Sequence, residues 1–218
     1  MLKKSLLVGA IALAASSVAL ADGFYVGAGI GGTGFHDKVD NTLTVDGVTE
    51  TSSSDHGNLG VLGGLLAGYT WNFANQFNLG VEGFANATSA KISHTSMDGD
   101  TTNVKARYNY GVRLVPGYQV TPDTDVHAIV GYVRGNFKAE ATDADTGASA
   151  SKTQNLNGFQ LGVGSGTNVA KNVVVRGDII YSGYQNKTNS FSDGVVSLSN
   201  KNKFNTLDGV VSVAYKFG

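Results

Sequence analysis

Val104-Lys105-Ala106-Arg107-Tyr108-Asn109-Tyr110-Gly111-Val112-Arg113-Leu114 alternates without a break, with apolar side chains at the even positions and charged, amide or glycine positions at the odd ones. Successive side chains of a β-strand point to opposite sides of the sheet, so this strand has one greasy side and one polar side. A strand of about 10 residues with an apolar exterior and a polar interior is the pattern of a transmembrane β-barrel. A soluble eight-stranded carrier would show the reverse parity.

The same period of two recurs on either side. Phe24, Val26, Ala28 and Ile30 oppose Tyr25, Gly27, Gly29 and Gly31 in a strand near Gly23 to Thr33. Leu59, Val61, Leu65, Ala67 and Tyr69 face outward in the second strand, with glycines and Leu62 and Leu66 inward. In the third, Phe77, Leu79, Val81, Ala85 and Ala87 oppose Asn78, Gly80, Glu82, Phe84 and Asn86. The quoted stretch is the fourth. Val126, Ala128, Val130 and Tyr132 against His127, Ile129, Gly131 and Val133 make the fifth, and Phe159, Leu161 and Val163 against Gln160, Gly162 and Gly164 the sixth. The seventh sets Val173, Val175, Ile179 and Tyr181 against Val174, Arg176, Asp178 and Ser182. The eighth sets Leu207, Val211, Val213, Tyr215 and Phe217 against Thr206, Asp208, Ser212 and Lys216.

Between them, short turns at Asn72 to Gln76, Thr121-Pro122-Asp123 and Ala170-Lys171-Asn172 alternate with long polar loops at His36 to Gly57, Lys91 to Asn103, Ala139 to Asn155 and Gln185 to Lys203. That alternation is what an up-and-down outer-membrane barrel requires. The third long loop has little to bury and is expected to be mobile. The expected fold is thus all-β: an eight-stranded antiparallel up-and-down transmembrane β-barrel. After Asp22 no window holds eighteen consecutive apolar residues, and in lipid an open sheet edge would stay unsatisfied, so only a closed barrel can cross.

The 30 glycines and 15% charged residues fit neither a helical bundle nor a disordered chain. Lys3 and Lys4, the apolar run Leu6 to Ala15 and the small-x-small triplet Ala19-Leu20-Ala21 read as a cleaved signal peptide, residues 1–21, leaving residues 22–218 as one barrel domain. The chain has no Cys, which excludes a lipoprotein anchor, disulfides and thiolate metal sites. A formal net charge of −1 offers no footprint for nucleic acid.

Glu82, Lys105, Arg107, Arg113, Arg176, Asp178 and Asp208 all carry inward parity. An eight-stranded lumen is filled by side chains or holds one small ligand, and buried charges persist only when paired. The structural reading is a salt-bridge plug; the functional one is a narrow ion path. Outward aromatics, among them Phe24, Tyr69, Phe77, Tyr118, Tyr181, Tyr215 and Phe217, cluster near strand ends, where membrane girdles form. His94-Thr95-Ser96 has a His-x-Ser spacing like that of the outer-membrane lipid A deacylases, with Asp98 and Asp100 as the nearby carboxylates, but it falls in a polar loop and reads as ordinary loop sequence. His36, His56, His94 and His127 show no metal-ligand spacing. No catalytic, cofactor or metal site is expected.

Phe24-Tyr25-Val26-Gly27-Ala28, Gly117-Tyr118-Gln119-Val120-Thr121 with Gly131-Tyr132, and the ending Val211-Ser212-Val213-Ala214-Tyr215-Lys216-Phe217-Gly218 resemble the OmpA-like transmembrane domain and the opacity-type surface proteins over the whole mature chain. The resemblance implies a charged cluster inside the barrel, with Glu82, Arg176 and Asp178 at matching positions, Arg113 near an expected basic position, and Gly164 in place of an acidic one. It also implies that Tyr215 and Phe217 act as an assembly signal for the barrel-assembly machinery. Partners expected are outer-membrane lipid and lipopolysaccharide, that machinery, and host surface molecules reached through the loops. The expected role is a non-enzymatic surface protein of a Gram-negative outer membrane. The alternatives are a small channel and, behind it, a lipid-modifying enzyme.

Overall fold

The computed structural model describes residues 23–45, 48–73, 76–95, 101–142, 148–192 and 196–217; the expected signal peptide lies outside them. Ten strands follow in order: β1 (Phe24–Val45), β2 (Val48–Asn72), β3 (Phe77–Thr88), β4 (Lys91–Thr95), β5 (Thr101–Thr121), β6 (Thr124–Thr142), β7 (Ser149–Ala170), β8 (Val173–Tyr184), β9 (Lys187–Ser192) and β10 (Val196–Phe217). Eight of them, β1-β2-β3-β5-β6-β7-β8-β10, pair antiparallel in sequence, and β10 pairs back onto β1. The ring leaves no strand edge facing lipid, which satisfies the backbone where water is absent. The two short strands are continuations: β4 pairs β5 above the end of β3, and β9 pairs β10 above the end of β8.

Directly opposed partners traced round the ring run from Phe24 through Tyr69, Val81, Leu114, Val130, Leu161, Tyr181 and Leu207, then back to β1 at Gly34, ten residues beyond the start. An offset of ten over eight strands tilts each strand by about 40° and sets a radius of roughly 8 Å. The interior has room for side chains but not for a wide water-filled pore.

Parity is as expected through the membrane band. Ile30, Leu65, Val112, Val163, Ile179 and Val211 are exposed on the outside, while Tyr25, Glu82, Arg113, Gln160, Arg176 and Ser212 are buried inside. Leu62 and Leu66, the apolar residues on the inner side of β2, are buried as well, and Leu66 joins the apolar core that fills the upper lumen. Aromatic pairs mark both rims. Phe24–Phe217, Tyr69–Trp71 and Phe77–Tyr118, with ring centroids 5.5, 4.8 and 5.1 Å apart, lie by the chain ends and short turns, and Phe159–Tyr181 at 6.2 Å lies toward the opposite rim. Val112 is 59% exposed near the middle of the band. Val112→Arg is therefore expected to cost about 2–4 kcal/mol in urea unfolding from lipid bilayers, whereas Arg at the rim position Val120 should cost much less. Equal costs would contradict this placement of the hydrocarbon.

Two expectations need correction. The long loops are largely strand. β1 and β2 run to Val45 and from Val48, β6 and β7 to Thr142 and from Ser149, and β10 from Val196. The polar Ser, Thr and Asp residues there do not face lipid, so their alternation carries no hydrophobic signal, while the backbone pairs along the whole length. The second correction is in the quoted stretch. The ladder shifts between Ala106 and Tyr108, so Arg107 is the extra residue of a bulge. A bulge reverses parity beyond it. Ala106 turns inward and is 7% exposed, while Lys105 and Arg107 leave the lumen for the outer surface.

Past the membrane band the wall opens along two seams. Beyond Leu62 and Thr88, β2 stays bonded to β1 and β4 to β5, linked across the gap by Ser89 N donating to Val61 O at 2.9 Å and by Asn58 donating to Lys91 O at 2.5 Å. Beyond Gly158 and Tyr184, β7 stays bonded to β6 and β9 to β10. Among the described residues the extension is two facing leaves, β9-β10-β1-β2 and β4-β5-β6-β7. On β1 the extension adds about ten residues beyond Phe35, or roughly 25 Å of height at this tilt.

Candidate functional site

The lumen collects its charge on adjacent inward positions. Glu82 on β3 stands opposite Arg113 on β5, and Arg176 and Asp178 are successive inward residues of β8. Gly68 makes the room: a Cβ there would lie 2.6 Å from the Tyr25 hydroxyl and 2.6 Å from the Val81 carbonyl oxygen. Glu82 is fully buried and accepts from three donors: Arg113, Arg176 at 2.7 Å and the Tyr25 hydroxyl at 2.9 Å. Arg176 also donates to Asp178 at 3.2 Å, and Asp178 lies 2.8 Å from His127 Nε2. His127 Nδ1 is 3.0 Å from Asp125, whose side chain reaches partial exposure. The result is a continuous polar chain from Glu82 toward the mouth beside the short turns. A cavity of about 340 Å³ opens there, lined by Tyr25, Asn78, His127, Asn168, Arg176 and Lys216 among others.

Five of the seven residues expected inside, Glu82, Arg113, Arg176, Asp178 and Asp208, are buried. Four of them form the cluster. Asp208 lies apart on β10, opposite Thr33 of β1. Lys105 and Arg107 are outside because of the bulge. Two contributors were missed. Tyr25 and His127 both had inward parity, and inward parity beside a carboxylate was the signal that could have found them.

Toward the leaves the lumen becomes apolar. The rings of Phe35, Phe137 and Phe204 stack on one another, with centroids 5.7 Å apart for Phe35–Phe137, 6.0 Å for Phe35–Phe204 and 5.2 Å for Phe137–Phe204; Tyr184 sits edge-on to Phe137 at 4.9 Å. Leu156, Ile92 and Ala106 complete this core. Ions crossing the barrel would have to part both the ion-pair cluster and the stacked rings.

Outside, Glu140 on β6 receives Lys105 at 2.5 Å and Lys138 at 2.7 Å. Hydrogen bonds from Lys105 and then Lys138 lower its carboxyl from 4.5 to about 2. A depressed carboxylate keeps its bridge above the unfolded value and loses it as pH falls through the folded one. NMR titration of the Glu140 side chain should accordingly give a midpoint near 2, and a midpoint near 4.5 would mean that water, not lysine, solvates it. His94 and Thr95 lie on β4, but their side chains, Ser96, Asp98 and Asp100 are outside the described residues, as is the side chain of His56. Among the described residues no group of three His, Cys, Asp or Glu could hold a metal ion.

The family model described as "Outer membrane protein beta-barrel domain" matches residues 5–217. No curated protein sequence matches the chain. Among solved structures, the outer membrane protease OmpT of Escherichia coli is similar at 12% identity over 90% of this chain and 97% of its own, with a TM-score of 0.50. The outer membrane protein OprG of Pseudomonas aeruginosa is similar at 14% identity over 90% and 96%, TM-score 0.50. The attachment invasion locus protein Ail of Yersinia pestis, solved in complex with the heparin analogue sucrose octasulfate, is similar at 16% identity over 88% and 99%, TM-score 0.37.

Proposed function

This chain belongs to the outer membrane protein β-barrel domain family, and from that premise we propose that it is a non-enzymatic surface scaffold whose two leaves carry adhesion or other contacts outside the cell. The barrel lies in the outer membrane of a Gram-negative cell. The observation that carries the proposal is the extension itself: four long hairpins project past the lipid band as polar strands, and along the two seams β2, β4, β7 and β9 each pair on one side only among the described residues. Exposed strand edges and loop tips are where a partner can add contacts. The buried ion pairs and stacked rings serve as the plug that keeps this scaffold rigid and closed, which weighs against the channel. Tyr215 and Phe217, packed edge-to-face at 4.9 Å at the end of the closing strand β10, serve as the assembly signal.

The test shortens each hairpin singly and measures binding of expressing cells to host cells and matrix. At least one shortening is expected to remove binding; unchanged binding throughout would end the adhesion proposal. The same purified protein in planar bilayers should stay silent under voltage, and steady unitary currents would replace this reading with the channel.

A further inference from the structure

Just beyond the lipid band on the β4-β5-β6 side, the bulge at Arg107 delivers Lys105 to the outer surface. There Lys105 stands directly opposite Lys91 on β4 and directly opposite Lys138 on β6. Like charges directly opposite one another in a sheet are destabilising, and nothing in the packing of the wall calls for three in a row. Glu140 answers two of them through its bridges to Lys105 and Lys138. Arg107 and Arg134 are exposed on the same side, Arg134 opposite Tyr110. Among the described residues of β4, of β5 down to Tyr110 and of β6 from Arg134, five cations share this surface with one carboxylate. Beneath, Tyr108 and Tyr110 and, deeper in the band opposite Val112, Tyr132 are exposed toward the lipid. The short turns, Phe24 and Phe217 lie at the opposite rim, so the patch faces the outer leaflet.

We propose that this face is a binding site for the phosphate groups of a phosphorylated glycolipid of the outer leaflet, lipopolysaccharide, held by Lys91, Arg107 and Arg134 with the Lys105–Glu140–Lys138 bridge beside them and the tyrosines against its acyl chains. Continuity with the lipid-facing band favours a membrane lipid over a soluble polyanion, because a ligand on these cations would also touch the tyrosine belt. Guanidinium and ammonium groups at a membrane surface pair with phosphate, and the bulge would then exist to move cations from lumen to lipid. The proposal rests on the barrel's placement in the outer membrane, not on adhesion, so loss of one leaves the other standing.

The test is native mass spectrometry of the refolded full-length protein in detergent with three probes: bisphosphorylated lipid A, the same lipid dephosphorylated, and heparin. Wild type is expected to retain lipid A, and K91Q/R107Q/R134Q to bind it roughly a hundredfold more weakly. K171Q, on a turn at the other rim, should bind like wild type. Heat-modifiable gel mobility reports whether each variant has closed its barrel. If the triple variant fails to fold, the exposed single substitution Arg107→Gln carries the test, with an expected loss of about fivefold. Equal retention by variant and wild type, or equal retention of the dephosphorylated lipid, would overturn the site. Heparin binding as tightly as lipid A with the same residue dependence would make it a soluble-polyanion surface and overturn the lipid assignment.

Discussion

Glu82→Ala is expected to destabilise the barrel by about 3–5 kcal/mol, measured as urea unfolding in lipid bilayers. The carboxylate is fully buried and answers two guanidiniums and a phenol at once. Removing it does not simply delete favourable contacts. It leaves Arg113 with its charge over the ring of Phe84 and no carboxylate hydrogen-bonded to it, and leaves Arg176 bridged to Asp178 alone. Most of the cost is that of burying unanswered charge, which a second experiment isolates. Replacing Glu82 and Arg113 together by Met should recover much of the loss, because Arg176 then stays paired with Asp178 and a well-packed apolar pair of similar volume is often neutral relative to a buried ion pair. If Glu82→Ala alone costs under about 1 kcal/mol, as exposed pairs do, water must reach the cluster and the plug does not exist as described.

Phe137→Ala should cost a comparable amount, about 3–5 kcal/mol, for a different reason. Its ring touches Phe35, Phe204 and Tyr184, residues from β1, β10 and β8, so one truncation opens a cavity among four strands. Gly135 is what lets the rings meet: a Cβ there would stand 2.8 Å from Phe137 and 2.7 Å from Tyr184. Because this cluster sits where the two leaves separate, the effect should be local as well as global. Hydrogen exchange at Gln185 N, which donates to Asn157 O at 2.8 Å across the second seam, and at Ser89 N, which donates to Val61 O across the first, should quicken in Phe137→Ala more than exchange in the membrane band. Uniform acceleration would mean that the rings fill space without joining the leaves.

How much of this was readable beforehand follows from where lipid acts on the sequence. Within the band every outward side chain must be apolar, so Val112, Val130 and Ile179 declared their side, and Glu82, Arg176 and Asp178 declared theirs. Above the band that pressure disappears. His36 to Gly57 looked like loop because Thr, Ser and Asp are as compatible with a solvated strand as with a coil. The aromatic core was hidden for a related reason: Phe35, Phe137 and Phe204 fall just beyond the strand ends that hydropathy marks and just short of the polar loops, so three rings that stack in space belong to neither pattern. The bulge was invisible because Arg107 completes a perfect alternation. Only pairing with β6 reveals that one residue is surplus there, and with it that Lys105 points outward.

Closure of the ring joins Phe24 to Phe217, nearly the two ends of the described chain. Strand β1 therefore cannot complete its hydrogen bonding until β10, the final strand of the ring, has arrived, and a barrel lacking β10 would leave one edge of β1 and one edge of β8 unpaired in hydrocarbon. The wall cannot be installed piece by piece, so a truncation inside β10 should be as harmful to the barrel as one inside β2.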